Sequence, residues 1–345
     1  METGESQMIP RTTMKLMRMA SHLTLVLAVA LFAGAASDGY AQGAKMTVGQ
    51  TGTNPGTALF FIAEKEHFFT KHGLNVSIIK SNTAAAVQAM LGGSMQMTTG
   101  SGAAAFTTAT LEGAPPFVLV SSWVNVFPYK VMAQKNITKV EDLKGKTGHV
   151  GAPFGTIPDT ALRFALTKLK LDPEKDVKLV QIASADPATI IASMDKGDVQ
   201  FGILAAPFDR IAEKRGYRTL LALPDLGIPW QQNGEWLQRS YLKSNRDNVV
   251  RFVRAISDSV KFYFEQKDKT VAYLSEFIGS NHDDTEYAYE LFAKWADRNP
   301  RPRPETIRTT LEAIKKNTAK AASADPASFI DASIVDQLAK EGYYK

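Results

Sequence analysis

The first apolar feature of the chain is a run over residues 23–36 that follows Lys15 and Arg18 and ends before Gly39-Tyr40-Ala41. A cationic lead, an apolar middle and small residues at the end are the order of a cleavable secretory signal. The run is about 14 residues, whereas a helix needs about 20 to cross the hydrocarbon core, and no later stretch comes near that length. Residues 1–41 are therefore expected to direct export and to be removed, with Met14 an alternative start inside them.

Beyond Ala44 the pattern changes to short β-type runs, each followed by a turn and a stretch of helical spacing. Residues 45–49 predict a strand and 57–69 a helix with Leu59, Ile62 and Ala63 on one face. Residues 74–79 alternate as a strand, Ser81-Asn82-Thr83 turns and caps, and 84–91 form a helix, with Gly92 suited to the left-handed position beyond its end. A third unit has strand 95–99, Ser101 as cap and helix 102–111; Gly113 and Pro115-Pro116 then break the chain before strand 117–122. Such repetition favours a parallel, doubly wound sheet covered on both faces.

The rhythm fails over 123–130, which is expected to be a first passage between two lobes. It resumes with strands 129–134, 146–150, 177–182, 199–204 and 218–222, and with helices 156–169, 187–196 and one from Pro207 to Arg215. Gly197 stops the second of these helices, and 223–230, with Pro224 and Pro229, is the expected return passage. From Tyr241 the chain turns helical: Ser244 and Asp247 are spaced as a capping box, and Val249, Phe252, Val253, Ile256 and Val260 mark a buried face. The fold expected is α/β with doubly wound sheets in two lobes, 42–125 with 231–345 as lobe one and 126–230 as lobe two. Two crossings leave a cleft where strand ends from both lobes meet, the usual ligand position in open α/β sheets.

Size agrees, since about 300 residues beyond the signal is where one core stops growing and chains divide. Lys and Arg number 40 and Asp and Glu 35, a formal net charge of +5, without the basic block and interleaved aromatics of a nucleic-acid surface. The absence of cysteine leaves an exported chain with no disulfide framework and no thiol for a lipid anchor.

Gly100-Ser101-Gly102-Ala103-Ala104-Ala105 superficially matches a dinucleotide fingerprint, but Val120, Ser121, Ser122 and Trp123 stand where an acidic residue should hold a ribose. Gly145-Lys146-Thr147 is no P-loop, because Val140 replaces its glycine and the motif precedes its strand. No G-x-S-x-G or H-E-x-x-H occurs. His22 leaves with the signal, and His67 and His72 sit near a helix end as partly exposed caps; His149 and His282 complete the set. What remains is a group of helix starts after strands: Thr53-Asn54, Ser81-Asn82-Thr83, Ser101-Gly102 and Gly155-Thr156. Their free N–H groups and positive dipole ends suit an anion, although ordinary capping would use the same residues. None of these motifs contains Lys or Arg, so recognition would rest on neutral donors, with Trp123, Phe154 or Trp230 offering an aromatic face at the lobe junction.

Several segments resemble a known family, the periplasmic solute-binding proteins of ABC importers in the nitrate, sulfonate, taurine and thiamine-precursor group. Glu66-His67-Phe68-Phe69-Thr70-Lys71-His72-Gly73-Leu74-Asn75-Val76 is similar to its G-x-F-x-x-x-G-L-x-V passage, and Asp142-Leu143-Lys144-Gly145-Lys146 to its D-L-K-G-K segment. Leu171-Asp172-Pro173-Glu174-Lys175-Asp176-Val177 and the run from Gly197 through Gln200 to Pro207-Phe208 resemble two further segments, with Gln200 where Asp is common. The likeness spans about residues 46–265 and its motifs are moderately specific in combination.

The resemblance implies a type II periplasmic-binding fold that closes on a small organic solute and hands it to an inner-membrane permease with its ATPase. It implies a monomer, no cofactor and no catalytic residue. Carried over residue by residue, it points to Thr53, Asn54, Ser81, Asn82, Ser101, Gly155 and Thr156; Thr83, Gly102 and Trp123 join them from their positions in the pattern. An organic anion, sulfonate- or carboxylate-like, fits the neutral loops better than a bare inorganic ion. The alternatives are a binder of a thiamine-pyrimidine precursor, a biosynthetic enzyme relative, disfavoured because such relatives carry a cysteine-rich motif, and a ligand-sensing domain.

Overall fold

The computed structural model describes residues 43–151, 156–181 and 187–344. The expected signal, Phe154 and Gly155 lie outside the described residues, as does Ile182 at the end of one expected strand.

In chain order the strands are β1 (Ala44–Thr51), β2 (Leu74–Ser81), β3 (Met97–Thr99), β4 (Phe117–Val124), β5 (Tyr129–Ala133), β6 (Thr147–His149), β7 (Lys178–Val180), β8 (Phe201–Ala205), β9 (Arg218–Ala222) and β10 (Asn233–Gln238). The helices are α1 (Leu59–Lys65), α2 (Phe68–Lys71), α3 (Thr83–Leu91), α4 (Ala104–Leu111), α5 (Ile157–Lys168), α6 (Ala188–Lys196), α7 (Phe208–Lys214), α8 (Arg239–Ser244), α9 (Arg246–Glu265), α10 (Lys267–Ile278), α11 (His282–Trp295), α12 (Pro304–Ile314) and α13 (Ser333–Lys340). Among them no helix is long and apolar enough to cross a membrane.

Two sheets organise these elements, one in the order β2-β1-β3-β10-β4 and the other β7-β6-β8-β5-β9. Both are mixed, which corrects the expectation of parallel sheets. β10 enters the first sheet antiparallel to β3 and to β4, and β5 enters the second antiparallel to β8 and β9. Each inserted strand is the one that has just crossed from the other sheet. The backbone crosses between sheets over 125–128 and 223–232; the second passage is bonded to the first by Trp230 N–H to Asn125 O at 3.0 Å and to the end of β4 by Gln232 N–H to Val124 O at 3.1 Å.

Other expectations need correction. The helix expected over 57–69 is broken, because His67 adopts a left-handed conformation (φ 57°). That turn re-aims the chain so that Phe69 stacks on Phe252 at 5.3 Å and Phe68 meets Phe262 at 6.2 Å, both on α9. Gly92 keeps a right-handed φ of −78°, and the left-handed residue after α3 is Gly93. The Ser244/Asp247 box does not form: Asn245 is the N-cap of α9, and Ser244 Oγ donates back to Ser240 O at 3.0 Å. The expected apolar face of α9 does form, with Val249, Phe252, Val253, Ile256 and Val260 all buried in the core of the first sheet.

The second sheet has its own core, including Phe127, Val131, Leu143, Leu162, Leu166, Phe201 and Trp230. It is packed closely enough at Gly148 that an added Cβ would stand 2.2 Å from the Phe201 ring. Gly148→Ala is expected to destabilise the protein by about 1–3 kcal/mol through overpacking, read as a lower denaturation midpoint; an unchanged midpoint would show that the Phe201 ring moves aside freely.

Candidate functional site

β1 and β3 end, and β10 begins, along one edge of the first sheet. At that edge Thr51 Oγ1 and Ser101 Oγ share a hydrogen bond of 2.8 Å, and Ser81 on β2 is the register partner of Thr51. Ser101 is therefore not the cap of α4, whose N-cap is Ala103 without a side-chain bond; its hydroxyl serves the next strand instead. Asn54 and Thr57 close a reciprocal box around the turn Pro55–Thr57, with Gly56 N–H donating to Asn54 Oδ1 at 2.9 Å and Asn54 N–H to Thr57 Oγ1 at 3.0 Å. Thr53 beside them is exposed. Asn82 caps α3 as expected, accepting from Ala85 N–H at 2.9 Å, and Thr83 opens that helix.

Amides that the sequence reading missed surround this edge. Gln231 Nε2 donates to Ser101 O at 3.0 Å while its Oε1 accepts from Trp236 Nε1 at 3.3 Å. Asn233 Nδ2 donates to Gly100 O at 3.3 Å. The side-chain amide oxygens of Gln50, Gln232 and Asn233 are buried without a hydrogen-bond partner. The polar run Gln231-Gln232-Asn233 between Trp230 and Trp236 was the available signal, obscured because it falls between the expected passage 223–230 and the helices from Tyr241, where no element was expected.

Across from this edge stands the start of α5. Thr156 is its N-cap in extended conformation, followed by Ile157 and Pro158. A Cβ on Gly102 would stand 2.5 Å from Ile157 Cδ1 and 2.8 Å from its Cγ1. The two sheets' facing ends therefore touch at Gly102 and Ile157. The structure brings Ser81, Asn54, Ser101 and Gly102 to one edge and Thr156 to the other.

Trp123 belongs elsewhere. Its indole lies in the core of the first sheet, donating from Nε1 to Gly56 O at 2.8 Å with its ring edge-on to Tyr263 at 5.1 Å, so it steadies the Pro55–Thr57 turn from behind. Trp230 does lie at the crossing, stacked on Phe127 at 4.2 Å, with a buried Nε1–H that has no hydrogen-bond partner.

Two titratable groups near the strand ends are shifted by burial. Glu235 on β10 is 2 % exposed, accepts from Thr99 Oγ1 at 3.2 Å and from Ser121 Oγ, and is pushed up to about 7 because desolvation outweighs those bonds. His149 on β6 accepts from Gly151 N–H at Nδ1 (2.7 Å), which places the ring proton on Nε2, and burial lowers its pKa so that the ring is neutral. Among the described residues no group of three His, Cys, Asp or Glu could hold a metal ion. The site is thus an array of hydroxyls, amides and backbone N–H groups, chemistry suited to binding and orienting a solute.

The family described as NMT1/THI5 like matches residues 54–270. The chain is 27% identical over 258 residues to the protein YtlA of Bacillus subtilis (strain 168), covering 71% of this chain and 74% of that one. It is 26% identical over 265 residues to the taurine-binding periplasmic protein of Escherichia coli (strain K12), covering 73% and 75%. Its fold superposes on a solved protein of Bordetella bronchiseptica RB50 with a TM-score of 0.73 at 19% identity, covering 88% of this chain and 99% of that one. The mixed sheets, the double crossing and these likenesses agree with the type II periplasmic-binding architecture. The chain belongs to the NMT1/THI5-like family, a group of periplasmic solute-binding proteins related to those of nitrate, sulfonate and taurine importers.

Proposed function

We propose that this chain captures a small organic anion, sulfonate- or carboxylate-like, in the cleft between its sheets and delivers it to an inner-membrane ABC permease and its ATPase. The observation that carries this reading is the facing pair of edges, Thr51, Ser81 and Ser101 on one side and Thr156 on the other, meeting at Gly102 and Ile157. The pocket proposed comprises Thr53, Asn54, Ser81, Asn82, Thr83, Ser101, Gly102, Gly155 and Thr156, with Trp123 in support. None of these is cationic, so affinity would come from hydroxyls and N–H donors around an anionic head, with the remainder of the solute filling apolar space. The taurine-binding relative supports a sulfonate. Lobe one is taken as 42–125 with 231–345 and lobe two as 126–230, the signal being removed after residue 41 and the protein acting in the periplasm as a monomer.

A thermal-shift screen of the mature chain against taurine, other sulfonates, carboxylates, nitrate and pyrimidines tests this. A solute at 100 times its dissociation constant stabilises by about 2.7 kcal/mol, a melting shift of several degrees. A sulfonate or carboxylate hit, recovered unchanged, supports capture. A pyrimidine hit favours the thiamine-precursor alternative, and turnover would contradict the reading of a binder without catalytic residues.

A further inference from the structure

Besides the apolar contact of Gly102 with Ile157, a polar contact joins the bodies of the two sheets. α11 packs on the first sheet: Phe292 comes within 2.9 Å of where a Cβ on Gly56 would be, at the turn that follows β1. α7 begins just beyond the end of β8, and β5 begins opposite that end, with Tyr129 paired to Ala205. The α11 and α7 elements thus meet at the same facing edges that bound the cleft, beside the crossings.

At the centre of this contact Tyr287 of α11 donates its hydroxyl to Asp209 Oδ2 at 2.9 Å and accepts from Lys130 Nζ at 3.0 Å. Arg210 lies over the Tyr287 ring at 5.1 Å, and Lys214 pairs with the buried Asp284 in the first turn of α11. We propose that the contact of α11 with α7 and Lys130 is a reversible latch, which holds the lobes together independently of solute and sets the fraction of molecules already closed. It rests on the reading that closure accompanies capture.

The groups are partnered in a way that makes the latch releasable. Lys130 and Asp209 both lie on the second sheet's side and are bonded to each other at 2.9 Å, so withdrawing Tyr287 strands neither charge. Asp284 keeps the Asn281 amide at 2.8 Å and the N-terminal dipole of α11, while Lys214, half exposed, returns to water. Separation exchanges satisfied groups for satisfied groups and leaves no uncompensated buried charge, the outcome that makes most buried ion pairs costly to break. By contrast, closure gains a hydroxyl bridged between two partners and a stacked guanidinium.

The test uses the absence of cysteine, which lets Ser94→Cys and Lys175→Cys carry spin labels at unique exposed sites, one on each lobe. Distance distributions are measured by pulsed electron resonance without solute, in the parent and with Tyr287→Phe or Lys214→Glu. Tyr287→Phe removes only the bridging oxygen, and Lys214→Glu sets a like charge against Asp284 from a half-exposed position, so each variant should keep the parent's melting temperature. The latch predicts a change toward longer distances in both, and weaker binding of the strongest hit by about fivefold or more, because apparent affinity scales with the closed fraction. Unchanged distributions in both variants would overturn it. If the distances lengthen while no solute in the panel binds, the latch stands and the transport reading fails.

Discussion

Gly102→Leu is expected to weaken solute binding by about tenfold to a hundredfold while leaving the solute-free melting temperature almost unchanged. The position has no room above it: even one carbon would stand 2.5 Å from Ile157 Cδ1 and 2.8 Å from its Cγ1. Ile157 could turn aside from an alanine, but not from a branched four-carbon side chain. Overpacking of this kind costs about 1–3 kcal/mol. Because the crowded atoms belong to opposite sides of the cleft, the molecule relieves the cost by parting them, so the penalty falls on the closed state and not on folding. A closed state disfavoured by that amount binds correspondingly less well. Pairing Gly102→Leu with Ile157→Ala supplies the control, since removing the opposing side chain should restore much of the binding. A Gly102→Leu protein that melts much lower than its parent would show that the contact belongs to the permanent core.

Glu235→Gln is expected to flatten the pH dependence of stability and to make the protein more stable than its parent at pH 8. The folded carboxyl titrates near 7 and the unfolded one near 4.5, so between those values the native state holds the proton more tightly. Stability from this group is full below 4.5, declines as pH rises to 7 and is lost above it, a total of about 3 kcal/mol from the usual 1.4 kcal/mol per pH unit. The amide keeps an acceptor for one neighbouring hydroxyl, and the other can turn to accept from its NH2 group. Thermal melts of both proteins at pH 5 and pH 8 decide it: the difference should be several degrees at pH 8 and small at pH 5. Equal slopes in the two proteins would mean that Glu235 does not carry the proton.

The elements legible in the sequence are those whose evidence is local. α9 announces itself because its buried face repeats at helical spacing over its own length, and Gly197 stops α6 as expected, in a left-handed conformation. β10 was illegible because it buries a glutamate. Glu235 is tolerable only through Thr99 and Ser121, which lie more than 100 residues earlier in the chain, and no window along the sequence can see those hydroxyls. The same limit governs the site. A serine after a strand and before a helix reads as a cap, yet Ser101 turns to Thr51, 50 residues away. Trp123 reads as a cleft aromatic because it ends a strand at a crossing, but its N–H is taken by Gly56 O inside the core. Asn82 behaved as read because its cap needs only the next three residues.

The most direct test of solute capture between the two sheets is a calorimetric titration of the mature chain and of Gly102→Leu with the strongest hit from the screen. Capture between the sheets requires one solute per chain for the parent and a loss of at least about tenfold in affinity for the variant. Equal affinity in the two proteins would place the solute outside the cleft and contradict it.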